Sequence, residues 1–171
     1  GAGSMTDMYE WPLRYKEAQV PYIFDPGQQI PALPRETLLS SITGSRLLIC
    51  NDYEIELICD ALNCDKDYLM KLTGAIITTL GEQGCLIEEN GYEPEHIPAV
   101  PVAKVVEPTG CGDAFRAGLA LGLSQGQDLP TAARLGATAA SFCVEHFGTQ
   151  EHSYTMEEFL KRHREAFCEA C

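Results

Sequence analysis

Residues 107–123, EPTGCGDAFRAGLALGL, place two glycines and an aspartate at the mouth of an apolar helical pattern. Gly110 and Gly112 carry no side chains, so backbone N–H groups can converge on one point at the positive end of the helix dipole. Such a point attracts anions, which the carboxylate of Asp113 would repel. We therefore expect Asp113 to have a chemical task, such as that of a general base in phosphoryl transfer. An ordinary N-cap role for Asp113 explains the same residues.

The composition excludes several classes of protein. A chain of 171 residues, 45% of them hydrophobic, is long enough for one buried core or for a substantial part of a larger domain. The net charge of −13 and the scattered Lys and Arg residues disfavour binding to nucleic acid. No apolar run approaches the roughly 20 residues of a membrane span, and the start is unlike a signal peptide. These features predict a soluble, cytoplasmic protein without a membrane partner.

The cysteines and the first residues receive separate interpretations. Most of the eight cysteines lie in apolar segments, where a reduced thiol behaves as a small hydrophobic group. Cys168 and Cys171 form a C-x-x-C, but no second pair stands at zinc-finger spacing, so we predict no metal site there. Residues 1–5 are interpreted as a cloning remnant, and the domain as residues 6–171.

Helical and strand patterns alternate along the chain. Apolar spacing predicts helices over residues 7–18, 34–42, 51–62, 66–72, 112–125, 131–145 and 155–167. Strands are predicted within residues 21–27, 46–50, 74–81 and 103–108, with a hairpin within residues 84–99. Pro12 must lie in the first turn of its helix or interrupt it. The alternation predicts a layered α/β architecture, in which ligands bind beyond the carboxyl ends of the strands.

Two strand exits carry candidate ligand residues. Asn51 ends one strand, and Glu54 lies one helical turn later, so the pair could hold a hydrated Mg²⁺ beside phosphates. The same pair has the spacing of a capping box, and the two interpretations do not exclude each other. Thr79, Gly81 and Gly84 follow the next strand. They could admit a nucleotide phosphate or ribose, although a plain hairpin turn explains them equally well.

Taken in order, these motifs resemble the carbohydrate and nucleoside kinases of the ribokinase (PfkB) family. The family usually has Asp-Thr-x-Gly-Ala-Gly-Asp where this chain has EPTGCGD, residues 107–113, and the departures bear on the monovalent-cation site of some members. The resemblance implies a ribokinase-like three-layer α-β-α sandwich with a mostly parallel sheet, of which this chain is the carboxy-terminal, nucleotide-binding portion. Three stretches look most like bacterial adenosine kinase-like members: FDPGQQ, residues 24–29; PTGCGDAFRAGL, residues 108–119; and the tail, residues 144–163. By itself, FDPGQQ is typical of a turn.

The resemblance also implies roles for individual residues. Asp113 would activate a sugar hydroxyl, and the amides of Gly110, Cys111 and Gly112 would form an anion hole. Glu54 would bind Mg²⁺ with help from Asn51. The predicted contacts with ATP are those of Asn51, Glu54, Thr79, Gly81, Gly84 and Thr138, the last beside the adenine.

The expected activity is ATP-dependent phosphoryl transfer to a small-molecule sugar or nucleoside, in the manner of an adenosine kinase. We expect the isolated chain to be inactive, because the missing amino-terminal half of the family fold carries most sugar contacts. Its macromolecular partner would be that half or a second copy of the chain. Two alternatives remain: a non-catalytic kinase-fold module for assembly or regulation, and another sugar kinase of the same family.

Overall fold

The computed structural model describes residues 4–167. The helices are α1 Met5–Glu17, α2 Arg35–Ile42, α3 Asp52–Leu62, α4 Lys66–Leu72, α5 Cys111–Ser124, α6 Leu129–Val144 and α7 Met156–Phe167. The strands are β1 Ile23–Phe24, β2 Leu47–Asn51, β3 Ala75–Thr79, β4 Cys85–Glu89 and β5 Glu95–Ile97, and 3₁₀ helices cover Gly27–Ala32 and Gly81–Gln83. Among these described helices, none has both the length and the hydrophobicity that a membrane crossing requires.

The described residues form two compact units: residues 4–80 with 86–95, and residues 81–85 with 96–167. The strands follow the order β1-β2-β3-β4-β5, and β2 runs parallel to both β1 and β3. The first four residues of β2 and of β3 are buried and mostly apolar, as expected for parallel strands covered on both faces. The prediction of an α/β fold with a mostly parallel sheet is therefore confirmed.

Pro12 corrects one expectation, because α1 runs through it without interruption. The helix begins at Met5, two residues earlier than predicted, so that Pro12 lies in its interior. Proline has no N–H, and the carbonyl of Met8 therefore loses its helical partner. The hydroxyl of Ser41, on α2, donates to the Met8 oxygen at 3.1 Å and replaces that hydrogen bond. A side chain far along the sequence thus allows the proline inside the helix.

The predicted strand within residues 103–108 is wrong. This segment has no strand partner within the described residues, and its amides bond to the end of α6. The amides of Val106 and Glu107 both donate to the carbonyl of Val144, at 2.8 and 3.2 Å, and the amide of Ala103 donates to the Glu145 carboxylate. A segment whose N–H groups are taken up by a helix terminus cannot form a β-ladder.

In the second unit, α5 packs very closely against α6. A Cβ atom added to Gly118 would lie 2.6 Å from the carbonyl oxygen of Leu135, and one added to Gly122 would lie 2.8 Å from Ala132. These glycines are four residues apart on one face of α5, and they allow the two helices to approach closely. The apolar side chains of Leu135, Ala139 and Phe142 meet Phe159 of α7 in a core cluster. This packing fixes the direction in which α5 points its first turn.

Candidate active site

The first turn of α5 begins at Gly110, a position that requires glycine. Gly110 is the N-cap and has φ 87°, in the left-handed region. A Cβ atom at this position would also lie 3.0 Å from the backbone of Thr149. Both the conformation and the close approach therefore require glycine. Asp113 lies in the first turn but is not the N-cap, so the alternative that explained it as a cap is wrong.

A hydrogen bond across the second unit holds the loop before α5. The amide of Gly148, in the loop after α6, donates to the carboxylate of Glu107 at 2.9 Å. The thiol of Cys143, on α6, lies 3.7 Å from the carbonyl oxygen of Thr109, within the range of a weak S–H hydrogen bond. The loop thus stays in place without a strand. This role of Glu107 is not evident from the sequence, because its partner is 41 residues away.

The amides at the start of α5 are only partly free for a ligand. The amide of Cys111 donates to the carbonyl of Pro108 at 3.1 Å. The amides of Gly110 and Gly112 have no acceptor within residues 4–167. The predicted three-amide anion hole is therefore reduced in this structure to two donors, Gly110 and Gly112, with Cys111 occupied in a turn. Two such donors at a helix N-terminus still form a favourable site for an anion.

The side chain of Cys111 has no nucleophilic role. Burial raises the pKa of its thiol to about 12, and the neighbouring Cys143 thiol adds to the increase. The thiolate is the reactive form of cysteine, so this side chain is inert at neutral pH. The thiol lies 3.9 Å from the carbonyl oxygen of Glu107, a contact that helps to hold the loop before α5.

The carboxylate of Asp113 faces solvent. Its side chain is 77% exposed, and one oxygen lies 3.3 Å from Nη1 of Arg116, one helical turn further along α5. A reacting hydroxyl can approach this carboxylate without disturbing the core. Arg116 is a second residue that the sequence analysis missed, although its spacing of three residues from Asp113 is typical of an ion pair on a helix.

At the exit of β2, in the first unit, the capping box is fully formed. The amide of Glu54 donates to Oδ1 of Asn51 at 2.7 Å, and the amide of Asn51 donates to Oε2 of Glu54 at 2.8 Å. Asn51 is paired in register with Thr79, so the ends of β2 and β3 lie side by side. The structure thus brings together three of the predicted ligand residues, Asn51, Glu54 and Thr79.

The capping box leaves Oε1 of Glu54 outside its two hydrogen bonds, and the residue is only partly buried. One available carboxylate oxygen suits Mg²⁺ held largely through its water shell, since this ion dehydrates reluctantly. It does not make a cage of protein ligands. Within residues 4–167, no cluster of three or more His, Cys, Asp or Glu side chains could hold a metal ion, and Cys168 and Cys171 lie outside these residues.

The remaining predicted residues have different environments. Gly81, with φ 58°, has open space where a side chain would be, whereas a Cβ atom on Gly84 would collide with the carbonyl of Ile97 at 2.0 Å. The glycine at 84 is therefore explained by packing. Thr138 has no exposed surface, and its hydroxyl bonds to the carbonyl of Arg134 and lies 3.0 Å from Nδ1 of His163. Thr138 therefore has no exposed surface through which its side chain could contact adenine in this structure.

A family model described as "pfkB family carbohydrate kinase" matches residues 2–156. The chain belongs to the pfkB family of carbohydrate kinases. The predicted family is therefore confirmed.

Relatives of this pfkB-family chain include nucleoside kinases and ribokinases. The nucleoside kinase of Methanocaldococcus jannaschii is 37% identical over 139 residues, which are 81% of this chain and 46% of that protein. The structure of the Burkholderia thailandensis nucleoside kinase in complex with inosine has 37% identity and a TM-score of 0.94, covering 100% of this chain and 57% of that one. The structure of the Arabidopsis thaliana ribokinase complexed with ribose and ATP has 27% identity and a TM-score of 0.77, covering 94% of this chain and 53% of that one.

The pfkB-family chain thus spans about half the length of these relatives. The predicted ribokinase-like fold is confirmed, and the chain is a partial piece of that fold.

The bond between Gly148 and Glu107 predicts a pH-dependent stability. Donation from the Gly148 amide, followed by a contact with the Thr109 hydroxyl, lowers the pKa of Glu107 below its ordinary value. A carboxyl group whose pKa is lower in the folded state stabilises the fold while ionised, and loses that contribution as the pH falls through the lowered pKa. We expect Glu107→Gln to unfold at a lower urea concentration than the wild type at about pH 7, and the difference to be smaller at about pH 3.

The matched control is Glu93→Gln, which removes an exposed carboxylate from a loop. It should unfold like the wild type at both pH values. A loss of stability in Glu107→Gln that is equally large in acid would contradict a role for the ionised carboxylate.

Proposed function

We propose that this pfkB-family chain is the ATP-binding portion of a kinase that phosphorylates a nucleoside hydroxyl, with adenosine among its substrates. The observation that carries the proposal is the exposed carboxylate of Asp113 beside two amides, those of Gly110 and Gly112, that bond to no acceptor within residues 4–167. A base and an anion-stabilising dipole at one helix terminus are two of the groups that support phosphoryl transfer to an alcohol.

In the proposed reaction, the substrate hydroxyl gives its proton to the carboxylate of Asp113. The hydroxyl oxygen forms a bond to the γ-phosphorus of ATP, and the bond from that phosphorus to the β,γ-bridging oxygen breaks, releasing ADP. The amides of Gly110 and Gly112 donate to oxygens of the phosphoryl group as charge develops on them. The positive end of the α5 dipole adds to this stabilisation.

Asn51 and Glu54 are proposed to orient the water shell of Mg²⁺, and Thr79 and Gly81 to border the nucleotide. A bound Mg²⁺ neutralises charge on the phosphates of ATP. The capping box fixes Glu54, because Oε2 is bonded to the amide of Asn51 while Oε1 is left to reach a water ligand. The same hydrogen bonds thus stabilise α3 and orient a candidate metal ligand.

The nucleoside substrate is proposed from the relatives, among which nucleoside kinases share 37% of their residues with this chain over the matched region. The isolated chain is expected to bind ATP weakly and to turn over little or no substrate. Positioning of both reactants supplies much of the catalysis in phosphoryl transfer, and this chain is a partial piece of the fold. Activity is therefore expected only in a polypeptide that supplies the rest of the fold.

The first test is Asp113→Asn in a polypeptide that carries the complete fold. Loss of the base should lower kcat for nucleoside phosphorylation by about 10²- to 10⁴-fold while ATP still binds. Steady-state kinetics and calorimetry with ATP and Mg²⁺ measure the two effects. The control is Asp60→Asn, which changes an exposed carboxylate on α3. Unchanged turnover in Asp113→Asn would overturn the proposed function.

The second test separates the metal role of Glu54 from its role in the capping box. Glutamine can also complete a capping box, so Glu54→Gln should unfold at the same urea concentration as the wild type. It lacks the charge, however, and should weaken ATP binding in Mg²⁺ but not in excess chelator. Glu54→Ala, which loses the cap as well, should be destabilised by about 1 kcal/mol. If Glu54→Gln binds ATP as the wild type does in both conditions, Glu54 has no metal role.

A further inference from the structure

Arg116 is packed against the start of α5. A Cβ atom added to Gly112 would lie 2.8 Å from Nη1 of Arg116 and 3.7 Å from its Cζ. The guanidinium group therefore occupies the space that a side chain at position 112 would fill. The space beside Gly112, which would favour the approach of an anion, is thus occupied in this structure by the end of the flexible Arg116 side chain.

The ion pair of Arg116 differs from an ordinary surface pair. On α1, Nη2 of Arg14 lies 3.1 Å from Oε2 of Glu10, and the two side chains are 61% and 47% exposed, respectively. The Arg116 side chain is only 27% exposed, and its partner, Asp113, is 77% exposed. A mostly buried cation thus meets an exposed carboxylate. Two exposed, mobile side chains contribute little to stability, whereas a fixed partner can restrict the orientation of a mobile one.

Orientation matters because a general base must point at the proton it accepts. An exposed aspartate in the first turn of a helix has several rotamers, and only some of them direct the carboxylate toward a reacting hydroxyl. The contact between Nη1 of Arg116 and Oδ1 of Asp113 engages one oxygen and leaves Oδ2 outside the pair. The arrangement therefore selects an orientation without occupying both oxygens.

We propose that Arg116 is a positioning residue that holds the carboxylate of Asp113 in the orientation required of the base. The inference rests on the proposed function, since it has meaning only if Asp113 accepts a proton. Arg116 acts through Asp113 and not by contact with ATP. Loss of the guanidinium should therefore affect turnover and leave nucleotide binding nearly unchanged.

The test is a double-mutant cycle in a polypeptide that carries the complete fold. Arg116→Gln should lower kcat by about 10- to 100-fold, the effect of a misplaced reacting group. The KM for ATP should change by less than about threefold. Arg116→Lys, which keeps the charge but not the planar fork, should recover part of the lost kcat. Arg14→Gln is the matched control for loss of a helical ion pair and should retain wild-type kinetics.

The decisive comparison is made in the Asp113→Asn background. If Arg116 acts through Asp113, adding Arg116→Gln to Asp113→Asn should lower kcat no further. The inference would be overturned if Arg116→Gln lowered kcat by the same factor in the Asp113→Asn background as in the wild type. It would also be overturned if Arg116→Gln lowered the affinity for ATP, because Arg116 would then contact the nucleotide. Wild-type kcat in Arg116→Gln would also overturn it, provided that Asp113→Asn is impaired. If Asp113→Asn itself is fully active, the proposed function fails first and the inference fails with it.

Discussion

The candidate active site depends on how the loop before α5 is held. The Gly148 amide donates to the Glu107 carboxylate, and Gly110 takes a left-handed conformation against the backbone of Thr149. Together these two constraints fix the point at which α5 begins. Because the helix begins there, the amides of Gly110 and Gly112 remain without an acceptor in the described chain and Asp113 is exposed. The proposed chemistry follows from this local geometry and from the charge distribution of a helix terminus.

In each of the two units, candidate functional residues have a structural role as well. Asn51 and Glu54 cap α3, and Gly112 leaves space for the guanidinium of Arg116. Structural and functional explanations are thus compatible at the same residue. They can be separated only by substitutions that keep one role and remove the other, such as a glutamine that preserves a cap while it removes a charge.

The fold was largely predictable because its elements have strong local patterns. The buried apolar runs of β2 and β3 and the helical spacing in α3, α5 and α6 were sufficient for the α/β class. The errors arose where a distant residue supplies a hydrogen bond. Ser41 allows Pro12 inside α1, and the carbonyl of Val144 takes the amides of the predicted strand within residues 103–108. In the site, the bond between Glu107 and Gly148 was unpredictable for the same reason. The role of Asp113 as the base, and the roles of Glu54 and Asn51 as ligands, remain predictions.

The amide spectrum of the ¹⁵N-labelled chain during titration with ATP and Mg²⁺ tests most directly whether the amides at the start of α5 bind phosphate. If α5 binds the phosphate through its free donors, the resonances of Gly110 and Gly112 should move downfield together and saturate with the same affinity. The Cys111 amide, already bonded to Pro108, should move less. Saturable binding of ATP that leaves both glycine amides unmoved would contradict the account.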